Sequence, residues 1–187
     1  INRLLVSHDL KPLDTLSQYR EVFTFPIEDY YKRVGFDFDK IPFSMLAHEY
    51  LEAFQEKSYA CNLHSDVLDV VNKAKNLGFS QTVLSASKMD YLLKQMETLH
   101  VDDLFDSIYG INDIYAKSKV EFAHEFKQTC SLDDEIYFVG DSVHDYEVAK
   151  SIGAKCILVT TGHQNRATLE SVNVPVMDLL IKPNHHE

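Results

Sequence analysis

Two aspartates four residues apart follow an apolar run in the second half of the chain. The run at 137–139 leads into Gly140 and Asp141, and Asp145 follows one helical turn later. Side chains four apart on a helix have Cβ atoms about 5–6 Å apart, so both carboxylates can bind one hard cation. Mg²⁺ prefers oxygen ligands and keeps several waters, which leaves room for a substrate phosphate. We therefore predict a Mg²⁺ site with Asp141 and Asp145 as ligands, although an aspartate there can also simply cap a helix.

A serine at the end of another apolar run is the second candidate for chemistry. Residues 79–84 predict a strand, and a capping box that starts at Ser87 predicts that a helix follows. The Ser85 hydroxyl and the next backbone N–H groups, beginning with Ala86, would form an anion site at the positive end of that helix. We predict that Ser85 and Ala86 bind substrate; the simpler interpretation of Ser85 is a local serine turn.

A lysine at the start of a predicted helix is the third candidate. Ser118 and Glu121 have capping-box spacing, which places Lys119 at the first helical position. The helix dipole disfavours a cation there, so we expect an anionic partner such as a phosphate or a carboxylate. Lys117 is the alternative choice, and a solvated surface lysine is the simpler interpretation.

The elements that must position these groups alternate between helix and strand from Leu63 onward. We predict strands at 79–84, 107–109, 135–139, 156–160 and within 174–180, and helices at 65–77, 87–99, 118–128 and 143–152. This alternation predicts an α/β fold with parallel crossovers and three layers. Residues 1–60 contain predicted helices only, so we expect a helical domain at 1–60 and an α/β domain at 61–187. Ligands bind at the carboxyl ends of parallel strands, where the three candidates should converge.

A serine, then a lysine, then Gly-Asp-x-x-x-Asp resembles motifs two, three and four of the haloacid dehalogenase superfamily. The phosphoglycolate-phosphatase-like branch is the most similar, over about Leu63 to Gly162, and residues 1–60 look like its helical cap. The resemblance implies a Rossmann-like core and a Mg²⁺-dependent phosphatase. Its substrate would be a small phosphorylated metabolite, hydrolysed through an aspartyl-phosphate intermediate.

The resemblance also implies a role for each candidate residue. Ser85 would bind the transferring phosphoryl group, and Lys119 would neutralise that group and the nucleophile. Asp141 would hold Mg²⁺, and Asp145 would assist through a direct or water-mediated bond. A phosphomutase on the same scaffold and a catalytically inactive binding or regulatory protein stay open as alternatives, because a fold does not fix an activity.

The family's first motif, a strand ending in Asp-x-Asp whose first aspartate is the nucleophile, is missing from this sequence. Asp37-Phe38-Asp39 is not a substitute, because the residues before it do not form an apolar strand. We therefore expect about 10–25 further N-terminal residues in the parent protein, enough for one strand and its connection. That strand should lie between those predicted at 79–84 and 135–139.

The composition of the chain bears on its binding partners and its cellular compartment. A formal net charge of −11 argues against nucleic-acid binding, because it would repel phosphate backbones. No apolar run approaches the roughly 20 residues of a membrane span. The three cysteines are odd in number and in no paired motif, which indicates a reducing compartment. We expect a cytoplasmic monomer or homodimer.

Overall fold

The computed structural model describes residues 1–111 and 118–178 of the chain. Its first part consists of helices α1 (Asn2–Ser7), α2 (Leu16–Val22), α3 (Ile27–Arg33) and α4 (Phe43–Ser58). These four helices, called the helical unit below, share a hydrophobic cluster that includes Leu5, Tyr30 and Leu46. Because this cluster is separate from those of the following residues, the helical unit has a core of its own.

Helices and strands alternate in the second part of the chain. They are α5 (Val67–Asn76), β1 (Thr82–Lys88), α6 (Met89–Thr98), β2 (Ser107–Ile111), α7 (Lys119–Thr129), β3 (Tyr137–Gly140), α8 (Val143–Ser151), β4 (Lys155–Val159), α9 (Arg166–Glu170) and β5 (Val176–Met177). Strand β1 pairs with β2, and β4 lies between β3 and β5; every pair is parallel. The predicted α/β class with parallel crossovers is therefore confirmed. In the described part of the chain, no helix is long and apolar enough to cross a membrane.

Helices lie on both faces of the strands. Val148 of α8 and Leu169 of α9 belong to one buried cluster, against which Leu84 of β1 packs. The neighbouring Val83 packs against Met96 of α6 in another cluster. Because successive side chains of a strand point to opposite faces, these contacts give the three layers of a Rossmann-like core.

A groove separates the two sheets, because β1 and β3 are not paired with each other. It has a volume of about 550 Å³, and Thr82 and Leu84 line it together with Tyr137 and Val139. The Phe79 and Tyr137 rings meet beside it with their centroids 6.5 Å apart. The groove lies where the sequence predicted a further strand between β1 and β3, and its occupant stays a prediction.

The start of α6 differs from the prediction. Strand β1 continues to Lys88 instead of ending at Leu84, and its pairing with β2 resumes at Lys88 opposite Ile111 after an irregular register. The capping box predicted at Ser87 is wrong, because that residue is still part of β1. Helix α6 begins at Met89 without a side-chain cap. Pairing with a neighbouring strand has kept this segment extended against its local helical signal.

Candidate active site

Asp145 is the most buried acidic residue at the carboxyl end of β3, with 3% of its surface exposed. Its Oδ2 accepts hydrogen bonds from the backbone N–H groups of Asp141 and Ser142, both at 3.0 Å. The Ser142 hydroxyl donates to the same oxygen at 2.7 Å and accepts from Asp145 N at 3.2 Å. This capping box fixes the turn in which β3 ends and α8 begins.

Lys119 binds the other oxygen of the same carboxylate. Its Nζ lies 2.5 Å from Asp145 Oδ1, and its side chain is only 19% exposed. A capping box of Ser118 and Glu121 fixes the first turn of α7 and hence the direction from which the lysine approaches. The predicted anionic partner of Lys119 is thus a carboxylate. Lys117, the alternative lysine, lies outside the described residues.

This contact determines the charge state of Asp145. Burial raises the pKa of the Asp145 carboxyl, whereas the charge of Lys119 lowers it, as do hydrogen bonds from Lys119, Ser142 and the Asp141 amide. The lowering contributions outweigh burial, so the pKa lies below its usual range. Asp145 is therefore an ionised, fully hydrogen-bonded carboxylate at neutral pH.

Asp141 has a different environment from Asp145. Its Oδ2 accepts a hydrogen bond from the His163 backbone N–H at 3.0 Å. A Cβ on Gly162 would lie 1.6 Å from that oxygen, so only glycine leaves room for the carboxylate. Asp141 is half-buried, and none of the described residues donates a hydrogen bond to its Oδ1. This oxygen is available to a ligand.

Ser85 has a local hydrogen-bond partner in the structure. It is half-buried in β1, and its Oγ accepts a hydrogen bond from Ser87 N at 3.1 Å, which is the local serine turn of the simpler interpretation. The neighbouring Ala86 is exposed. Across residues 1–111 and 118–178, no hydrogen bond joins Ser85 to Lys119 or Asp141. The structure thus brings Lys119, Asp141 and Asp145 together, and the substrate-binding role of Ser85 and Ala86 stays a prediction.

Two residues of α2, Tyr19 and Arg20, and Phe23 directly after the helix contact the loop that holds Asp141, and none of the three was predicted from the sequence. The Tyr19 hydroxyl lies 2.5 Å from His163 Nδ1, and Arg20 Nε donates to the Gly162 carbonyl at 3.0 Å. The Phe23 ring stacks on the His163 ring with centroids 4.8 Å apart. Gly162 and His163 follow a predicted strand, so the rule that ligands bind at the carboxyl ends of strands could have identified the loop.

The oxygen donors at this site are compatible with Mg²⁺ if Asp141 supplies one of several ligands. The described residues contain no group of three or more His, Cys, Asp or Glu side chains that could hold a metal ion. Mg²⁺ is, however, usually bound by one or two carboxylates together with waters and substrate phosphates. Asp141 Oδ1 fits this requirement. Both oxygens of Asp145 already have protein partners, so its role as a metal ligand stays a prediction.

The segment Asp37-Phe38-Asp39 is a turn between α3 and α4, as its sequence context indicated. Asp39 N donates to Asp37 Oδ1 at 3.1 Å, and Lys40 lies 3.1 Å from Asp37 Oδ2. These contacts are local, and the segment is not at the end of a strand.

Comparisons with known proteins agree with this architecture. The curated proteins contain no match to the chain. A haloacid dehalogenase-like hydrolase from Streptococcus pneumoniae has a similar structure, with 19% identity, a TM-score of 0.76 and coverage of 93% of this chain and 81% of the other. A predicted phosphoglycolate phosphatase from Haemophilus somnus has 16% identity, a TM-score of 0.69 and coverage of 95% and 84%. CbbY from Rhodobacter sphaeroides, solved in complex with phosphate, has 15% identity, a TM-score of 0.63 and coverage of 94% and 83%.

At these identities the structural matches show the fold alone. The family model described as haloacid dehalogenase-like hydrolase matches residues 1–159. This match covers most of the chain, including the helical unit, Lys119, Asp141 and Asp145. The chain therefore belongs to the haloacid dehalogenase-like hydrolase family.

Proposed function

We propose that this protein is a Mg²⁺-dependent phosphatase that hydrolyses a phosphate ester of a small metabolite through an aspartyl-phosphate intermediate. The observation that carries the proposal is the cluster of Lys119, Asp145 and Asp141 at the carboxyl end of β3. The cluster combines a cation, Lys119, with a carboxylate, Asp141, whose Oδ1 has no donor among the described residues. Such a pair suits a dianionic phosphoryl group that arrives with a divalent cation.

Each residue of the cluster has a task in this proposal. The Lys119 ammonium has three donors and uses one on Asp145, so the others can bind phosphoryl oxygens. Ser85 and Ala86 bind the phosphoryl group from the β1 side, and Asp145 keeps Lys119 in place. Asp141 Oδ1 holds Mg²⁺, with Asp145 assisting directly or through water. When bound, Mg²⁺ would neutralise the negative charge of the phosphate.

The nucleophilic aspartate is proposed to come from a strand bound in the groove between β1 and β3. Leu84 and Val139 line the groove and immediately precede Ser85 and Gly140. A carboxylate at the end of a parallel strand in the groove would therefore lie between the two halves of the site. Its oxygen attacks phosphorus, and the P–O bond to the leaving alcohol breaks as the alcohol takes up a proton. Water then hydrolyses the acyl phosphate, which releases inorganic phosphate and restores the carboxylate.

The proposal also covers the domains, location and oligomeric state of the protein. We propose residues 1–60 as a cap over residues 61–187, supported by the separate core of the helical unit and its contact with the loop after β4. We further propose a monomer or homodimer in the cytoplasm, a location that the absence of a paired cysteine motif supports. A non-catalytic phosphate-binding protein is the second candidate, favoured by one observation: in the described residues no Asp-x-Asp follows a strand. A phosphomutase would use the same site.

A phosphate-release assay tests the proposal. The protein is expressed with the proposed upstream strand and assayed on a set of small phosphate esters with and without Mg²⁺. We expect turnover that requires Mg²⁺ and falls at least about 100-fold in Asp141→Asn, because a developing charge loses its stabilising partner. Asp103→Asn, which changes an exposed aspartate, is the matched control. Ester binding without any phosphate release would favour the non-catalytic alternative.

A further inference from the structure

The loop of Gly162 and His163 lies directly against the Asp141 carboxylate. Asp141 Oδ2 accepts its hydrogen bond from His163 N, and Gly162 has no space for a Cβ on that side. The next residue, Gln164, is buried and accepts a hydrogen bond from Val143 N at 2.7 Å through its Oε1. The backbone of this loop is thus the neighbour that sets the direction of the Asp141 carboxylate.

The opposite side of the same loop is held by α2. His163 contributes its ring to two contacts, the hydrogen bond with Tyr19 and the stack with Phe23, whose ring planes are 18° apart. Arg20 binds the Gly162 carbonyl in addition. Since a single residue thus bonds to Asp141 through its backbone and to α2 through its ring, the two parts of the protein meet at His163.

Helix α2 also packs against the core of the helical unit, to which its Tyr19 and Val22 contribute. It has seven residues, none of them buried. The Tyr19 ring connects it to the helical unit by an edge contact with the buried Tyr30, at 5.9 Å between centroids. Burial raises the pKa of the Tyr19 hydroxyl, and the nearby Tyr50 and Asp141 raise it further. The hydroxyl therefore stays protonated and able to bind the imidazole.

We propose that His163 is a positioning residue for Asp141, through which α2 of the helical unit fixes the orientation of that carboxylate. Movement of the helical unit would then change the metal-binding group directly, without a contact between α2 and the metal. The effect on Mg²⁺ rests on the proposed function, whereas the effect on the carboxylate does not. Groups that orient a metal ligand typically contribute 10- to 100-fold to metal affinity, so we expect a loss of about tenfold without the ring.

The experiment compares His163→Ala, Tyr19→Phe and the double variant with the unaltered chain. His64→Ala is the matched control, because His64 is exposed and its side chain has no described partner. Two measurements are made without metal: the ¹³C shift of the Asp141 carboxyl group and hydrogen exchange of the residue 163 amide. A third is the affinity for Mg²⁺ by calorimetry.

We expect both single variants to shift the Asp141 carboxyl resonance, to speed exchange of the residue 163 amide and to weaken Mg²⁺ binding. The double variant should resemble His163→Ala, because Tyr19 acts through the same ring. Folded variants that keep the resonance and the exchange rate of the unaltered chain would overturn the inference. If His163→Ala does not fold, Tyr19→Phe tests the inference by the same measurements, because it removes only the hydroxyl oxygen that contacts His163. Absence of Mg²⁺ binding in the unaltered chain would contradict the proposed function, while the two metal-free measurements still decide the inference.

Discussion

At the residue scale, the Asp145 carboxylate is the centre of the site. Its two oxygens accept hydrogen bonds from Lys119 and from three groups of the turn formed by Asp141 and Ser142. Taking a carboxylate out of water costs several kcal/mol unless such partners replace the water. Asp145 therefore stabilises the turn between β3 and α8, in addition to its proposed role at the site. Asp141, whose Oδ1 accepts no hydrogen bond from the described residues, is the proposed ligand-binding group.

Removing the ammonium should show this dependence. Lys119→Met keeps much of the side-chain volume but leaves Asp145 buried without its cation, so we expect a loss of about 3 kcal/mol in unfolding free energy. Urea denaturation measures it. The double variant Lys119→Met/Asp145→Asn removes both charges and should recover part of the loss. A Lys119→Met protein as stable as the unaltered one would contradict the pairing of these residues.

The lowered pKa of Asp145 predicts a pH dependence of stability. The unfolded carboxyl titrates near its ordinary value of 3.8, and the folded one below it. Its stabilising contribution is therefore fully present above about pH 5 and is lost as the pH falls through the lowered folded value. The difference in unfolding free energy between the unaltered chain and Asp145→Asn should be constant near neutral pH and shrink below about pH 4. A difference that grows on acidification would have the wrong sign.

At the scale of elements, two helices that begin with capping boxes bring the charged groups together. Ser118 and Glu121 start α7, and Ser142 and Asp145 start α8. These starts place Lys119 at the first position of one helix and the carboxylate in the first turn of the other. The two caps differ in burial, since Ser142 is 5% exposed whereas Ser118 is exposed.

The two caps form a matched pair for mutation. Ser118→Ala should cost about 1 kcal/mol, the usual value for an exposed cap. Ser142→Ala should cost about 2 kcal/mol, because it also leaves the buried Asp145 oxygen with one donor fewer. Thermal or urea unfolding of both variants gives the comparison. Equal costs would mean that the Ser142–Asp145 hydrogen bond adds nothing beyond capping.

Local signals explain which elements were predictable from sequence. Each of the capping boxes that begin at Ser118 and Ser142 spans only four residues. The bounds of both helices were predicted to within two residues. Strand β1 was not, because residues 85–88 are extended by pairing with β2, which lies more than 20 residues away. The short helix α9 was missed, although Asn165 caps it. The hydrogen bond between Tyr19 of α2 and His163 joins residues that are 144 positions apart, and no rule based on local spacing can predict it.

At the scale of the whole molecule, the groove between β1 and β3 is the main feature that the described residues do not complete. Tyr137 and Val139, both 47% exposed, lie on the side of β3 facing away from the buried Phe138. Helix α7 spans the gap by packing against β1 and α8. Two unpaired strand edges facing one another are a ready site for one further parallel strand.

Hydrogen exchange tests whether a strand binds there. In residues 1–187, amides of 82–84 and 137–139 that do not bond β2 or β4 should exchange fast. Adding the proposed upstream strand should slow them, because each gains a backbone partner. Amides of β4, which is paired on both sides, are the internal control and should change little. Unchanged exchange at the groove edges would contradict the proposed location of the nucleophile strand.

Calorimetric titration of residues 1–187 with Mg²⁺ tests the proposed metal site. We expect binding that is lost or weakened by at least about tenfold in Asp141→Asn and is unchanged in the control Asp103→Asn. Lys119→Met should leave binding measurable, since Lys119 pairs with Asp145 and has no described contact with Asp141. Equal Mg²⁺ affinity in the unaltered chain and in Asp141→Asn would contradict the proposed metal site, because both oxygens of the neighbouring Asp145 already have protein partners.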